Sequence, residues 1–373
     1  MFYHLILTDD CNLCCRYCRG KMFGEFDGEK PGENEIDSYP PPDLSIDLEI
    51  LYRFLSEDPD PCLTFYGGEP LMRPDIIREI MDNAPVRRFM IQTNGTLLGS
   101  LGAEYTNRFE TILVSIDGPE ELTDLNRGRG TYRRIMDSLH TITSEGFRGE
   151  IIGRMTVTED TDIFDAVRYL ADNTDFSFQS IHWQLDACFS KDSDRPAFPD
   201  WLNACYNPGI HRLLRFWRDM MEEMGVVKRW YPFLSTTEDL LLGRPAQLRC
   251  GAGHSNYAIM TDGSIGPCPV MVGMKEYYAG HVGSTSPGDL REIPIGGACT
   301  TCDVRDFCGG RCLYSNITNL WPDDRRIPVC ESVRNLLAGI QEILPDIRCL
   351  MESGKISEEE FMHTRYNGCE IIP

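Results

Sequence analysis

The sequence predicts an α/β fold of parallel βα units, followed by a small cysteine-rich domain. Between residues 2 and 185, short apolar runs alternate with helical patterns, which is typical of βα repeats. From residue 250 this alternation gives way to closely spaced cysteines. About six strands over this length fit an incomplete (β/α)6 barrel better than a closed eightfold one, and a doubly wound sheet is the alternative.

The predicted elements follow one another without long gaps as far as residue 185. A first strand is predicted at 2–8 and is followed by a cysteine-rich loop. The Gly- and Pro-rich stretch 24–43 is interpreted as an irregular excursion. Further strands are predicted at 62–66, 88–92, 111–115, 150–157 and 178–185. Helices are predicted at 46–57, 74–83, 132–145 and 163–172, and later in the chain at 210–224, 333–343 and 357–364.

Length, charge and cysteine content limit the classes of function. A chain of 373 residues can bury a large core and exceeds a single small module. Its 58 acidic and 36 basic residues give a net charge of −22, which opposes a phosphate backbone, so no nucleic acid partner is expected. No apolar run approaches a membrane span and residues 1–10 carry no signal peptide. We therefore expect no membrane partner, and a reducing cytoplasm in which the 16 cysteines serve mainly as metal ligands.

Three cysteines after the first strand have a spacing that can enclose one inorganic cluster. Cys11, Cys15 and Cys18 form a C-x3-C-x2-C pattern. A [4Fe–4S] cluster with only three protein ligands keeps one iron open for a substrate or cofactor. The alternatives are a zinc site, for which this loop offers no evident fourth ligand, and cysteines packed as small hydrophobes. Cys14 lies outside the pattern and is interpreted as a packed thiol.

This pattern, with Tyr17 in the aromatic position before the last cysteine, resembles the signature of the radical S-adenosylmethionine (SAM) enzymes. The resemblance implies that the open iron chelates the amino and carboxylate groups of SAM. It further implies that an electron from the cluster cleaves SAM to methionine and a 5′-deoxyadenosyl radical. The fold that it implies is a partial (β/α)6 TIM-like barrel, and the implied electron source is a low-potential donor of the ferredoxin or flavodoxin type.

Strand ends farther along the chain resemble the SAM contacts of the same family. Gly67-Gly68-Glu69-Pro70 resembles the family's GGEP turn, in which backbone groups and the Glu carboxylate contact the methionyl amine of SAM. The remaining candidates for cofactor binding are Tyr17, Asn94, Ser115, Asp117, Arg127 and Arg154. The two arginines can pair with the SAM carboxylate or be surface cations, and Asn94, Ser115 and Asp117 can equally be cap or turn residues.

A second group of cysteines begins at residue 250, and its spacing favours iron–sulfur clusters over zinc. It contains only one C-x2-C pair, whereas zinc ribbons repeat that pair. The order of cysteines resembles the SPASM domain, an extension of peptide-modifying radical enzymes, and every element of that pattern is present. The resemblance implies two auxiliary [4Fe–4S] clusters and thus three in total. The outer cluster is assigned Cys299, Cys302, Cys308 and Cys330, and the inner cluster Cys250, Cys268 and Cys312.

The inner set is one cysteine short of four. Either the inner cluster has an iron open to the substrate, or His254, Cys188 or Cys205 completes it. The default interpretation of the cysteines outside the three sets is a packed thiol; these are Cys14, Cys62, Cys188, Cys205, Cys349 and Cys369. No residue is identified as a catalytic acid or base.

These patterns divide the chain into four parts. Residues 1–190 are predicted to form the radical SAM barrel, 191–249 a bridging helical region, 250–335 the SPASM domain and 336–373 a C-terminal helical segment.

The function implied by both resemblances is that of a radical maturase that abstracts hydrogen from a peptide or protein, for example to form a thioether or carbon–carbon cross-link. The opening residues also look like an archaeal group of radical enzymes to which peptide modification is ascribed. One alternative is a sulfatase-type formylglycine maturase, although Pro269 stands after Cys268, where that family has an Asp base. Others are an enzyme of redox-cofactor biosynthesis and an iron–sulfur electron carrier or sensor, which has no need of a methionine pocket.

Overall fold

The computed structural model describes residues 1–18, 40–186, 197–318 and 323–368 of an α/β protein. The chain divides into two compact units, each assembled from separate stretches. The first unit contains Met1–Ile116, Thr123–Ile152 and Gly251–Pro294, and the second contains Asp117–Leu122, Gly153–Cys250 and Ile295–Pro373. The four-part division based on sequence resemblance stays a prediction.

The described residues contain ten strands and twelve α-helices. The strands are β1 (Phe2–Ile6), β2 (Cys62–Tyr66), β3 (Arg88–Thr93), β4 (Phe109–Ser115), β5 (Glu150–Val157), β6 (Ser180–Leu185), β7 (Arg229–Trp230), β8 (Asn256–Ile259), β9 (Ser264–Gly266) and β10 (Gly280–His281). The helices are α1 (Leu48–Ser56), α2 (Pro74–Asn83), α3 (Ala103–Thr106), α4 (Glu120–Arg127), α5 (Thr131–Ser144), α6 (Ile163–Asp172), α7 (Phe198–Trp201), α8 (Asn207–Met224), α9 (Tyr231–Leu242), α10 (Arg305–Cys308), α11 (Leu313–Thr318) and α12 (Asp323–Glu352).

The first unit is built on a mainly parallel sheet with β1 at its centre. β1 is parallel to β2 on one side and to β8 on the other, and β3 and β4 continue the parallel order beyond β2. β9 and β10 are antiparallel additions next to β8. Nearly every residue of β1, β2 and β4 is buried, which explains why these strands are continuous apolar runs rather than alternating ones.

The register of the sheet brings the loops that carry the predicted motifs to one edge. Ile6 lies opposite Tyr66, so the cysteine loop after β1 and the Gly-Gly turn after β2 start at the same level. Phe65 in turn lies opposite Ile91, which places the end of β3 close by. Ligands of parallel α/β folds bind at this edge, outside the carboxyl ends of the strands.

The second unit surrounds an aromatic core. Trp183, Trp217 and Phe233 are fully buried, and the centre of the Phe233 ring lies 5.0 Å from that of Trp183, edge to face, and 5.6 Å from that of Trp217, tilted. Helix α9 supplies Phe233 and is buried along Tyr231–Asp239, while α8 packs against α12. The core explains why the apolar residues of 210–224 are packing residues.

Most predicted elements are confirmed, two differ, and some observed elements were not predicted. The strands at 62–66 and 150–157 and the helices at 74–83 and 163–172 have the predicted bounds. The helix predicted at 357–364 is only a 3-10 turn, Glu358–Phe361, and the helix predicted at 333–343 is the middle of α12. Neither α9 nor β8 was predicted. Residues 19–39, which include most of the excursion at 24–43, lie outside the described residues.

In the part of the chain that the structure describes, no helix combines the length and the apolar character needed to cross a membrane.

Candidate active site

The first three cysteines lie in the loop that follows β1, where exposure alternates from residue to residue. Cys11 and Cys15 are half-buried and Cys18 is exposed. The backbone N–H of Leu13 donates to Cys11 Sγ at 3.4 Å, and burial raises the pKa of the Cys11 thiol. The interpretation of Cys14 as a packed thiol is wrong, because it falls on the solvent side of this alternation and is exposed.

The Gly67-Gly68 turn packs directly against the backbone that leads into the cysteine loop. A Cβ on Gly67 would lie 2.3 Å from the Thr8 carbonyl oxygen, and one on Gly68 would lie 2.1 Å from the Asp10 carbonyl oxygen. The Gly68 N–H donates to the Thr8 carbonyl at 2.7 Å, and the Glu69 N–H donates to the Asp10 carbonyl at 2.8 Å. The two glycines therefore let the turn after β2 fix the start of the cysteine loop.

Glu69 is a fully buried carboxylate at the centre of this edge. Its Oε1 accepts hydrogen bonds from the Leu71 N–H at 3.1 Å and from Thr93 Oγ1 at 2.7 Å, and its Oε2 accepts one from the Asn94 N–H at 2.7 Å. Burial raises the pKa of Glu69 to about 7, against the opposing effect of those three donors. Two carboxylate oxygens offer about four acceptor positions, so three donors leave room for one more.

Asn94 connects the buried carboxylate to the cysteine loop. Its backbone N–H donates to Glu69 Oε2. Its side-chain Nδ2 donates to Asn12 Oδ1 at 2.7 Å and lies 3.8 Å from Cys11 Sγ. The Asn94 Oδ1 accepts from the Thr96 N–H at 3.0 Å, which fixes the orientation of the amide. Three loops that follow β1, β2 and β3 thus form one hydrogen-bonded network around Cys11.

Tyr17 and Arg127 lie together. The Arg127 guanidinium carbon is 5.5 Å from the centre of the Tyr17 ring, and Arg127 is only 5% exposed. The Arg16 N–H also donates to the carbonyl of Asn126 at 2.9 Å, so the cysteine loop is joined to α4. Arg127 is therefore not a surface cation.

The other candidate residues take different places. Ser115 ends β4 and is half-buried in the first unit. In the second unit, Asp117 is buried and accepts from the Thr156 N–H at 3.0 Å. The Arg154 Nη2 donates to Gln184 Oε1 at 3.0 Å. Asp117 thus has a structural hydrogen bond in addition to its predicted role, and the contact of all three with SAM stays a prediction.

A cavity of about 370 Å³ opens beside the Gly-Gly turn in the first unit. Its lining includes Gly67, Gly68 and Cys18 at one end and the apolar side chains of Met260 and Val272. This volume lies within the range of small-molecule sites. The cavity reaches the glycine turn and one cysteine, so the residues fit a cofactor held between cluster and turn.

In the described residues, no three His, Cys, Asp or Glu side chains converge closely enough to hold a single metal ion.

Comparison with known proteins identifies the first part of the chain. The sequence model of the Radical SAM superfamily matches residues 5–168, a segment that contains the cysteine loop, the Gly-Gly turn and Asn94. Residues 5–168 are a radical SAM domain. Enzymes of this superfamily use a [4Fe–4S] cluster and SAM, and the interpretation of the chain as a non-enzymatic electron carrier is therefore abandoned.

Relatives of this radical SAM enzyme align along most of its length. An uncharacterised protein of Archaeoglobus fulgidus is 25% identical, over 92% of this chain and 82% of that protein. The mycofactocin maturase MftC of Mycolicibacterium smegmatis is 23% identical, over 87% of this chain and 81% of that protein. The solved structure of native anSMEcpe with bound AdoMet and Cp18Cys peptide has a TM-score of 0.68 at 18% identity, and covers 93% of this chain and 98% of that one. The predicted radical SAM partial barrel is confirmed.

The second unit of the radical SAM enzyme brings the four outer cysteines close to one another. The charges of Cys299 and Cys302 both act on Cys330, and those of Cys299 and Cys330 act on Cys308. Burial is the main cause that raises the pKa of Cys308, to about 11, and the pKa of Cys330. The four thiols therefore lie near one another, and their binding of one cluster stays a prediction.

The loop between Cys308 and Cys312 has an unusual backbone. Gly309, Gly310 and Arg311 all have positive φ, at 68°, 92° and 55°. Such values cost little for glycine but strain an arginine. The turn directs the Gly310 N–H to the Cys308 sulfur. This segment thus combines a tight turn with a backbone donor to a candidate cluster ligand.

Arg249 is a residue that sequence reasoning missed. It is buried, pairs with Asp239 Oδ2 at 2.8 Å, and donates from Nε and Nη2 to the Phe307 carbonyl at 2.9 and 2.8 Å. Since Arg249 precedes Cys250 and Phe307 precedes Cys308, one buried side chain fixes the backbone beside a cysteine of each auxiliary set. Its only sequence signal was a charged residue directly before a cysteine of the pattern.

The inner set is distributed over both units, with Cys268 in the first and Cys250 and Cys312 in the second. Its ligation and its fourth ligand stay predictions. Of the candidates, His254 Nδ1 lies 2.8 Å from Ser255 Oγ, and Cys188 lies outside the described residues. Among the cysteines outside the three sets, Cys62 is buried as predicted, and burial raises its pKa to about 12. Cys349 is exposed near the end of α12, so its interpretation as a packed thiol was wrong.

Proposed function

We propose that this radical SAM enzyme is a SPASM-type maturase that abstracts a hydrogen atom from a peptide or protein substrate. The observation that carries the proposal is the network of Glu69, Asn94 and Cys11, which joins a candidate cluster ligand to a buried carboxylate. When bound, the cluster and SAM supply the 5′-deoxyadenosyl radical that takes the hydrogen. The protein's own residues bind and orient the cofactor and exclude water.

Glu69 is proposed to bind the ammonium group of SAM with its remaining acceptor position. Its three donors orient the carboxylate, and a positively charged ligand group favours the ionised form of a buried acid whose pKa is near 7. A charge-assisted hydrogen bond at such a site is about twice as strong as a neutral one. Asn94 keeps this carboxylate and Cys11 in a fixed relation.

Tyr17 and Arg127 are proposed to form a second wall of the cofactor site. The ring of Tyr17 and the guanidinium of Arg127 are stacked, which limits the movement of both side chains. An arginine held in this way can pair with the carboxylate of SAM in a bidentate manner. Ser115, Asp117 and Arg154 remain as further proposed contacts.

A peptide is the substrate class that best fits the cavity and the relatives. The apolar lining beyond the glycine turn, with Met260 and Val272, suits a side chain of a peptide better than a highly charged metabolite. The related MftC is a maturase, and the solved neighbour anSMEcpe holds AdoMet together with a peptide. The thioether, carbon–carbon and other products of such enzymes all start from hydrogen abstraction.

Three [4Fe–4S] clusters per chain are proposed, reduced by a low-potential donor of the ferredoxin or flavodoxin type. After anaerobic reconstitution we expect about twelve iron atoms per chain, and about eight when Cys11, Cys15 and Cys18 are replaced by alanine. Zinc in place of iron would contradict the cluster assignment. A wild-type content near four irons would leave only the radical SAM cluster and contradict the auxiliary ones.

The peptide substrate can be tested by isotope transfer. The region beside the gene is first searched for short open reading frames, and peptides of these sequences are synthesised with deuterium on their side-chain carbons and incubated with reduced enzyme and SAM. A deuterium atom removed from the peptide should appear in 5′-deoxyadenosine and raise its mass by one unit, and the peptide product should lose the label. Cysteine-containing sulfatase peptides are labelled and tested in the same way. If every peptide yields only unlabelled 5′-deoxyadenosine, the proposal that this enzyme modifies a peptide is contradicted.

A further inference from the structure

Arg334, on α12, contacts the outer cysteine set at the protein surface. Arg334 lies one helical turn after Cys330, so both side chains are on the same face of the helix. Its Nη2 is 3.9 Å from Cys302 Sγ, within hydrogen-bond reach of a sulfur acceptor. The guanidinium is 44% exposed, so this contact is at the protein surface.

Asp303 holds this arginine in place. Arg334 Nη1 donates to Asp303 Oδ2 at 2.7 Å, and Nη2 also donates to Asp303 Oδ1. The pair is bidentate, which fixes the plane of the guanidinium as well as its position. At neutral pH the Asp303 carboxylate is ionised and the Arg334 guanidinium is protonated. Because the pair is neutral as a whole, its action on Cys302 is a directed hydrogen bond rather than a net charge.

Two further arginines face the same set. Arg326 lies one helical turn before Cys330, and Arg311 follows the Gly-Gly turn after Cys308. The positive charges of both act on Cys330. In a chain of net charge −22, these two guanidinium groups add positive charge beside the four thiols. A [4Fe–4S] cluster with four thiolates is an anion that becomes more negative on reduction, so such surroundings favour the reduced form.

We propose that Arg334, positioned by Asp303, raises the reduction potential of the outer auxiliary cluster by donating a hydrogen bond to the Cys302 sulfur. The cluster gains one electron from a one-electron donor, and the added negative charge strengthens the hydrogen bond from Arg334. Proteins set the reduction potential of a cluster partly through hydrogen bonds to its sulfurs and through its exposure to solvent. Arg334 is a positioning residue that acts through the ligand. The inference rests on the proposed assignment of the outer cluster.

The test is a redox titration followed by electron paramagnetic resonance on the full-length, reconstituted chain in which Cys11, Cys15 and Cys18 are replaced by alanine. In this background only the auxiliary clusters contribute to the spectrum. Arg334→Gln should lower the ratio of reduced to oxidised outer cluster at a fixed potential by roughly three- to tenfold, where tenfold corresponds to about 59 mV for one electron. Arg334→Lys keeps the positive charge but lacks the planar group that pairs with Asp303 and donates to Cys302 Sγ, so this variant should also lower the ratio.

Arg348→Gln is the matched control, because Arg348 is an exposed arginine on the same helix, about 20 Å farther along its axis. It should leave the potential unchanged. Unchanged potentials in both test variants, with full auxiliary iron, would overturn the inference but leave the cluster assignment intact. Absence of auxiliary iron and signal in the background protein would instead overturn the assignment. If Arg334→Gln loses iron, Arg334→Lys decides: full auxiliary iron with an unchanged reduction potential of the outer cluster in that variant would overturn the proposal.

Discussion

Glu69→Gln tests the buried carboxylate with a neutral group of nearly the same shape. The Gln oxygen can still accept from the Leu71 N–H and from Thr93 Oγ1. Its NH2 group then faces the Asn94 N–H, so two donors meet and this buried N–H loses its partner. Alanine would be a poorer choice, because it would leave all three donors unpaired and displace the cysteine loop.

The expected losses follow from these contacts. An unsatisfied buried donor costs about 1–3 kcal/mol of folding free energy, which should appear as a lower melting temperature. Loss of the charge-assisted hydrogen bond to the SAM ammonium costs roughly 1.5–3 kcal/mol of binding free energy. That range corresponds to a roughly 10- to 150-fold increase in the dissociation constant of SAM.

The assay is anaerobic titration calorimetry with SAM, together with iron content and melting temperature for each variant. Glu104→Gln is the control, since Glu104 is exposed in the first turn of α3, and it should match the wild type in all three measurements. A Glu69→Gln variant with full iron content and unchanged affinity for SAM would refute the proposed role of the carboxylate.

Three further predictions concern the scaffold. Gly68→Ala places a Cβ against a backbone carbonyl at 2.1 Å and should remove about four irons per chain, whereas Gly99→Ala, whose Cβ meets only a methyl at 3.5 Å, should keep them; iron analysis decides. Burial alone would raise the pKa of Glu238, but hydrogen bonding to His363 lowers it from 4.5 to about 2. Its stabilising effect is thus present above about pH 4.5 and lost as the pH falls towards 2, so the difference in melting temperature between the wild type and Glu238→Gln should narrow between about pH 5 and 2. Arg249→Gln removes one partner of a buried ion pair and should lower the free energy of unfolding by about 3–5 kcal/mol in urea titrations, while equal stability would contradict its bridging role.

The parallel strands could be predicted because they are short apolar runs between strong turn signals. The run at 62–66 ends at Gly67, and the structure gives the same bounds. Helix α9 was missed because it is buried along most of its length and therefore lacks the amphipathic pattern that identifies a surface helix. Strand β8 has only four residues, and its pairing with β1, more than 200 residues away in sequence, leaves no local signal.

The candidate site could be predicted in its residue types but not in its connections. The sequence pointed to Glu69 and Asn94 as separate cofactor contacts, whereas the structure shows that they hydrogen-bond to each other. It also assigned Gly67 and Gly68 to ligand approach, and the structure shows that their missing Cβ atoms make room for the chain's own loop. Such contacts join residues far apart in sequence, so spacing alone contains no information about them.

The most direct test of radical SAM chemistry is the cleavage of SAM by the reconstituted protein reduced with dithionite under anaerobic conditions. The wild type should release 5′-deoxyadenosine and methionine in equal amounts, and the variant with alanine at Cys11, Cys15 and Cys18 should release neither. Equal cleavage by both proteins, or no cleavage by a wild type with full iron content, would contradict the assignment of the loop after β1 as the site of this chemistry.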